Sequence, residues 1–191
     1  NVAVGASALL TLTTGGRNVA IGHNALLLHT DASDNVAIGE YAGGAITTGG
    51  QNTLVGGKAG DGITTASSLT AFGYRALSAP SCTGANNTAV GTDALLSNTT
   101  GSENVAVGAY ALDANTTGVS NVAVGRIALG ANTTGGSNIA VGEAAMNANT
   151  TGGSNTAVGG NALTANTTAS NNTGIGKDAL KANTTGTQNT A

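Results

Sequence analysis

Residues 104–120 read NVAVGAYALDANTTGVS, and residues 121–137 repeat the pattern as NVAVGRIALGANTTGGS. Working outward from this pair, repeats begin at Asn1, Asn18, Asn35, Asn52, Leu69, Asn87, Asn104, Asn121, Asn138, Asn155 and Asn172, and a twelfth begins at Asn189. Every spacing is 17 residues except that of the repeat at 69–86, which has 18. The consensus is N-[VT]-A-V-G-x-x-A-L-x-x-N-T-T-G-x-x, and residues 1–191 form a single array. A short period of this kind is the signature of a stacked repeat architecture.

Recurrence at one repeat position calls for one physical cause in every coil. Position 4 is always apolar, from Val4 to Ile175, and position 8 is always Ala. Position 9 is Leu in eight repeats, with Gly43, Gly60 and Met146 as the exceptions. Position 5 is always Gly: Gly5, Gly22, Gly39, Gly56, Gly73, Gly91, Gly108, Gly125, Gly142, Gly159 and Gly176. Residues at positions 2 and 4 flanking a small one at 3 have the period of a strand. The Gly that follows permits positive φ and a sharp exit from the strand. Ala and Leu at positions 8 and 9 predict a second strand, and N-T-T-G supplies turn chemistry. A helix is excluded, because Gly and Asn recur throughout each repeat and both oppose it.

The expectation is an all-β parallel solenoid with one 17-residue repeat per coil. At the sheet spacing of about 4.8 Å, eleven coils make a rod of roughly 50 Å. The expected core combines the apolar residues of positions 2 and 4 with Ala8 and Leu9 and their equivalents. Asn at position 1 should form a ladder of stacked amides. A core this narrow predicts association of several chains. The 18-residue repeat, with Phe72, Pro80 and Cys82, should bulge as a longer loop, with strands resuming in phase at Asn87.

Composition narrows function. Charged residues are 8% of the chain, where about 25% is usual. The net charge is −3, and the six Lys and Arg are scattered without aromatic interleaving. That argues against nucleic-acid binding. No apolar run reaches the length of a membrane span, so no direct membrane insertion is expected. No secretion signal is visible; the start in repeat phase and the stop inside a new repeat suggest a segment of a longer array. One Cys allows no internal disulfide framework.

The N-[VT]-A-[VI]-G element followed by x-x-A-L resembles the head repeats of YadA-like trimeric autotransporter adhesins, which carry a similar S-V-A-I-G core. The longer form at Asn104–Gly118, with N-T-T-G, is similar to arrays in bacterial and phage proteins described as tail-fibre-like. The resemblance covers all 191 residues. It implies a left-handed β-roll, a homotrimer, and an extracellular place on a bacterial surface or phage virion. The 17-residue repeat is longer than the adhesin repeat and implies a larger loop.

Candidate sites are few. His23 and His29 share one repeat with Asp31 and Asp34, but no spacing matches a zinc motif. Cys82 lies beside Pro80 with no His nearby in sequence. Asp93, Asp113, Glu143 and Asp178 are dispersed, which disfavours glycosidase chemistry. No catalytic, cofactor-binding or metal-binding residue is expected. Asn98, Asn115, Asn132, Asn149, Asn166 and Asn183 open formal glycosylation sequons, as do Asn86 and Asn171. The functional expectation is a rigid fibre or adhesin shaft whose partners are copies of itself and a surface glycan or protein. The alternative is an ice- or glycan-binding solenoid that uses stacked Thr and Asn ladders, such as Thr99–Thr100 and Thr116–Thr117. A hexapeptide acyltransferase fails, because its coil needs three apolar–Gly units and this repeat has one.

Overall fold

The structure is a computed structural model describing residues 1–191. It contains eleven three-residue strands and no helix. They are β1 (Val2–Val4), β2 (Val19–Ile21), β3 (Val36–Ile38), β4 (Thr53–Val55), β5 (Thr70–Phe72), β6 (Thr88–Val90), β7 (Val105–Val107), β8 (Val122–Val124), β9 (Ile139–Val141), β10 (Thr156–Val158) and β11 (Thr173–Ile175). They pair in chain order as one parallel sheet, position 2 on position 2 in every coil. The protein is therefore an all-β parallel solenoid with one repeat per coil.

Two sequence expectations are corrected. First, no second strand forms at positions 8 and 9. Positions 7, 9 and 17 instead adopt the left-handed region in coil after coil, as Tyr110 (φ 58°), Leu112 (φ 53°) and Ser120 (φ 56°) show in one repeat. Each such residue costs roughly 1–2 kcal/mol outside Gly, and Ile127 at φ 53° is β-branched as well. What offsets the cost is hydrogen bonding along the rod. At position 7 the N–H reaches the preceding coil, as from Tyr110 to the Thr92 carbonyl at 2.9 Å. At position 9 it reaches the following coil, as from Leu112 to the Ala128 carbonyl at 3.1 Å. At position 17 it again reaches back, from Ser120 to the Ser102 carbonyl at 3.1 Å. The strands hold only 20 of the 126 main-chain hydrogen bonds, so the turns carry most of the stacking.

Second, positions 2 and 4 face outward. The strand period is as expected, but the buried member is position 3: Ala20, Ala37, Ala71, Ala106, Ala123, Ala140 and Ala157 are fully enclosed. Position 4 is exposed at Ile21, Ile38, Phe72, Val107, Val158 and Ile175. The interior of each coil is Ala at position 3, Ala at position 8 and Leu at position 9, closed by Asn. A coil of 17 residues is too narrow to point a β-branched side chain and a Leu at the same centre, so the small residue turns inward.

The Asn ladder of position 1 forms as expected. Asn104 Oδ1 accepts the main-chain N–H of Asn121 at 3.0 Å, and Asn121 Nδ2 donates to the Gly135 carbonyl at 2.9 Å. One amide thus joins neighbouring coils and ties the end of its own coil to the beginning. Leu69 interrupts the ladder: its N–H still reaches Asn52 Oδ1 at 3.0 Å, but its side chain offers no oxygen to Asn87.

The irregular coil resolves into a gain and a loss. Leu77 to Cys82 spans two residues more than Leu95 to Asn98, and Cys82 to Gly84 one fewer than Asn98 to Gly101. The excess falls at Pro80 and Ser81, both exposed, with Ser81 at φ 60°. Strands resume in register, Thr70 opposite Thr88.

The exit Gly is the tightest point of the stack. All eleven position-5 glycines have φ between 125° and 141°. A Cβ on Gly108 would lie 2.6 Å from the Gly125 carbonyl oxygen of the next coil. Gly108→Ala should therefore lower stability by about 3 kcal/mol, read as a lower thermal midpoint by circular dichroism. An unchanged midpoint would mean that the coils are not packed this closely.

Candidate functional site

The residues singled out by sequence separate in space. His23 is on the outside, edge-on to Tyr41 with ring centroids 5.6 Å apart and 3.9 Å from Glu40. His29 is fully buried, and its Nε2 lies 2.9 Å from the Ala32 carbonyl. Asp31 is exposed, and Asp34 is bound by the Arg17 guanidinium, with one bond at 2.8 Å. That guanidinium holds the Asp34 carboxyl below its ordinary range. The four groups do not converge, and no cluster of three His, Cys, Asp or Glu side chains has the geometry to hold a metal ion.

Position 12 proves to be an interior position, which the turn-like sequence N-T-T-G concealed. Asn98, Asn115, Asn132, Asn149 and Asn166 are fully buried and form a second amide ladder. Asn132 Nδ2 donates to Asn115 Oδ1 at 2.9 Å and to the Gly135 carbonyl at 3.0 Å, while Asn132 Oδ1 accepts from Asn149 Nδ2 at 2.9 Å. The nitrogen that would carry a glycan is thus inside the folded coil and already engaged. Asn183, on the last full coil, is partly buried but keeps the same bonds. Asn86 and Asn171 are the sequon asparagines that face solvent.

The same column changes character along the rod. In the first coils position 12 is Leu12, His29, Ile46 and Ile63, followed by Cys82 at the irregular coil. His29 keeps the bond to position 15 that Asn makes elsewhere, while its Nδ1 is buried without a partner. Where the residue is Ile46 or Ile63, position 9 is Gly43 or Gly60. A Cβ on Gly60 would lie 2.6 Å from Ile63 Cδ1. In these two coils the space that Leu takes at position 9 elsewhere is filled by Ile from position 12 together with Leu54 from the strand of the fourth coil.

The threonine pairs divide. At position 13 the hydroxyl is spent on the stack: Thr116 Oγ1 donates to the Thr133 carbonyl at 3.1 Å, and Thr133 Oγ1 to the Thr150 carbonyl at 3.1 Å. At position 14, Thr100, Thr117, Thr134 and Thr151 are exposed in a column. Both Asn ladders lie inside the rod, so what remains available to a flat ligand is this Thr column and the shorter Thr runs at strand position 2, such as Thr53, Thr70 and Thr88.

The one cavity of note opens beside the irregular coil. It measures about 490 Å³ and is bounded by Lys58 and Asp61 of the fourth coil, Tyr74, Arg75, Ser78, Ala79 and Pro80 of the fifth, and Leu96, Ser97 and Thr99 of the sixth. Arg75 Nε lies 3.3 Å from the nearly buried Asp93, out of line for a hydrogen bond to that oxygen. Burial pushes the Asp61 carboxyl above its ordinary range, and that of Asp113 likewise, with Asp93 adding to the latter. Cys82 lies inside the coil, and burial pushes its thiol up. No family model, curated protein or solved structure matches this chain.

Two outcomes follow from these placements. Asn132→Ala leaves Asn115 Oδ1 buried without its donor and removes one of the two bonds of Asn149 Nδ2, which keeps the Gly152 carbonyl, so it should cost about 3 kcal/mol, whereas Thr134→Ala on the surface should change stability by less than about 0.5 kcal/mol; chemical denaturation of both variants measures the contrast. The buried, protonated Cys82 thiol should resist a disulfide reagent in the folded protein and react at once after unfolding. Rapid labelling of the native chain would contradict its placement.

Proposed function

We propose that this chain is a shaft segment of a homotrimeric extracellular fibre or adhesin, on a bacterial surface or a phage virion, and that it is not an enzyme. The observation that supports this reading is the outward column of apolar side chains on the sheet. Nine of the fifteen exposed large hydrophobic residues are at strand positions 2 and 4: Val2, Val4, Ile21, Ile38, Phe72, Val107, Ile139, Val158 and Ile175. Contiguous apolar surface of this kind marks an association face. Because the strands are in register, the column is straight and continuous along the rod. Identical columns on three chains can meet around one axis and cover each other at every coil height.

The mechanical properties fit the role. Main-chain bonds run along the axis through strands and turns alike, so bending or cleaving the rod requires opening several at once. The surface carries few charges, and cross-coil pairs such as Arg126–Glu143 at 2.7 Å are exposed and contribute little each. Outward loops repeat the same polar groups in each coil. Weak contacts to a surface glycan or protein, repeated along the rod and across three chains, would combine through avidity.

The test is sedimentation equilibrium on the purified chain. The expected mass is three times that of the 18.1 kDa chain. Val107→Asp together with Val124→Asp should dissociate it, because burying unpaired carboxylates in the shared face is costly. A stable, folded monomer of the unaltered chain would overturn the proposal.

A further inference from the structure

We propose that the groove beside the irregular coil binds a saccharide that carries a carboxylate, such as a uronic or sialic acid residue of a surface polysaccharide. The inference extends the fibre reading by giving the shaft one specific contact point in addition to its repeated weak ones.

The groove is where repeat symmetry fails. A recognition site needs several unlike groups aimed at one place, and here Lys58, Tyr74 and Asp61 meet around the same opening. Its volume of about 490 Å³ falls in the range of small-molecule clefts, about 300–1,000 Å³. The inserted residues create it by breaking a column of main-chain bonds. In the regular coils the N–H of position 11 reaches the position-10 carbonyl of the next coil, as from Ser97 to Asp113 at 3.0 Å and from Ala114 to Gly130 at 3.2 Å. The N–H groups of Gly62 and Ala79 make no such bond, and the Ser78 and Leu96 carbonyls receive none. Of these, the Ala79 N–H and the Ser78 and Leu96 carbonyls belong to residues of the groove wall, where a ligand rich in hydroxyls can use them, while the Gly62 N–H is turned to the Asp61 carboxyl.

The side chains specify the class. Tyr74 is 51% exposed, with the Arg75 guanidinium over its ring 6.0 Å from the centroid, and the ring surface left open is of the kind on which the C–H surface of a sugar packs. Asp61, half-buried, is an acceptor for hydroxyl groups. Lys58 forms no salt bridge within 4.0 Å, whereas Arg75 is matched by Asp93. Lys58 lines the same opening as Tyr74 without an ion-pair partner, and although its charge reaches Asp61, it is the cation there that can take an anionic substituent. Only three of the ten lining residues, Ala79, Pro80 and Leu96, are apolar, which fits a polar ligand better than a hydrophobic side chain.

The experiment uses the full chain, with trigalacturonate and 3′-sialyllactose as acidic probes and maltotriose as the neutral one. Saturation-transfer NMR and titration should show both or either acidic probe binding with a dissociation constant on the order of millimolar, as expected for a small open site. Added salt should weaken it. Lys58→Glu and Tyr74→Ala should each reduce affinity by about tenfold or more, while Lys177→Ala on the eleventh coil should leave it unchanged. Lys58 is exposed, so its replacement should not disturb folding; Lys58→Gln and the thermal midpoint of each variant check this. Absence of binding by both acidic probes, equal binding of maltotriose, or full affinity in both groove variants would overturn the proposal. The sedimentation experiment is independent of it: a trimer that binds no sugar removes the groove site and keeps the shaft, and a monomer that binds acidic sugar does the reverse.

Discussion

The fold depends on main-chain N–H groups turned along the rod axis by residues in the left-handed region. A three-residue strand by itself gives too little pairing to hold a coil, and a lone stack of such strands would be marginal. Positions 7, 9 and 17 extend the same pairing through the turns, so that hydrogen bonding to the neighbours continues around much of the circumference. The conformational cost is repeated three times per coil, and only a neighbouring coil on each side offsets it. Stability is consequently a property of the stack. This is the quasi-one-dimensional behaviour of solenoids, in which each repeat is stable only through its neighbours.

Close stacking then dictates which residues each position accepts. With each position-5 carbonyl crowding the preceding coil, only Gly fits there. With the strand so near the opposite wall, position 3 is Ala or Gly in every coil but the fourth, where Leu54 fits inside because Gly43 and Gly60 leave room at position 9, and the larger residues of positions 2 and 4 turn out. The coil closes through amides, because Asn alone among the short side chains both accepts from the next coil and donates to its own: the position-1 and position-12 ladders use Oδ1 and Nδ2 in this way. Neither ladder needs charge, which fits a chain that is 8% charged and has polar amides within its interior.

The period, the strand at positions 2–4, the special conformation of position 5 and the first Asn ladder were legible in the sequence, because each leaves a recurring residue type in a fixed place. The direction of the strand was not. Alternation says that positions 2 and 4 share a face and position 3 the other, but it does not say which face is inside, and the bulkier set was assigned to the core. The second strand was misread for a related reason: Ala-Leu has no feature that announces a left-handed Leu, since nothing in a leucine side chain favours that conformation. Asn at position 12 looked like turn chemistry and sequon alike, yet it is interior. A signal for this was present. Ile46 and Ile63 occur in the two repeats that have Gly43 and Gly60 at position 9, and such an exchange between positions three apart means that both draw on the same space.

The groove was legible only in outline. The extra residue, Pro80 and the missing Asn at 69 marked an irregular coil, but a linear reading placed the emphasis on Cys82, which the fold buries. Insertion in a solenoid has a consequence that a loop elsewhere lacks. Most main-chain hydrogen bonds of a regular coil run to the coil one step along the axis, so adding residues to one coil unmatches groups on both neighbours as well as on itself. Here the fourth and sixth coils, whose own sequences are regular in length, contribute Lys58, Asp61 and Leu96 to the opening. Recognition chemistry in such a rod is therefore created where periodicity is broken, and the residues that serve it lie in part on the coils beside the break.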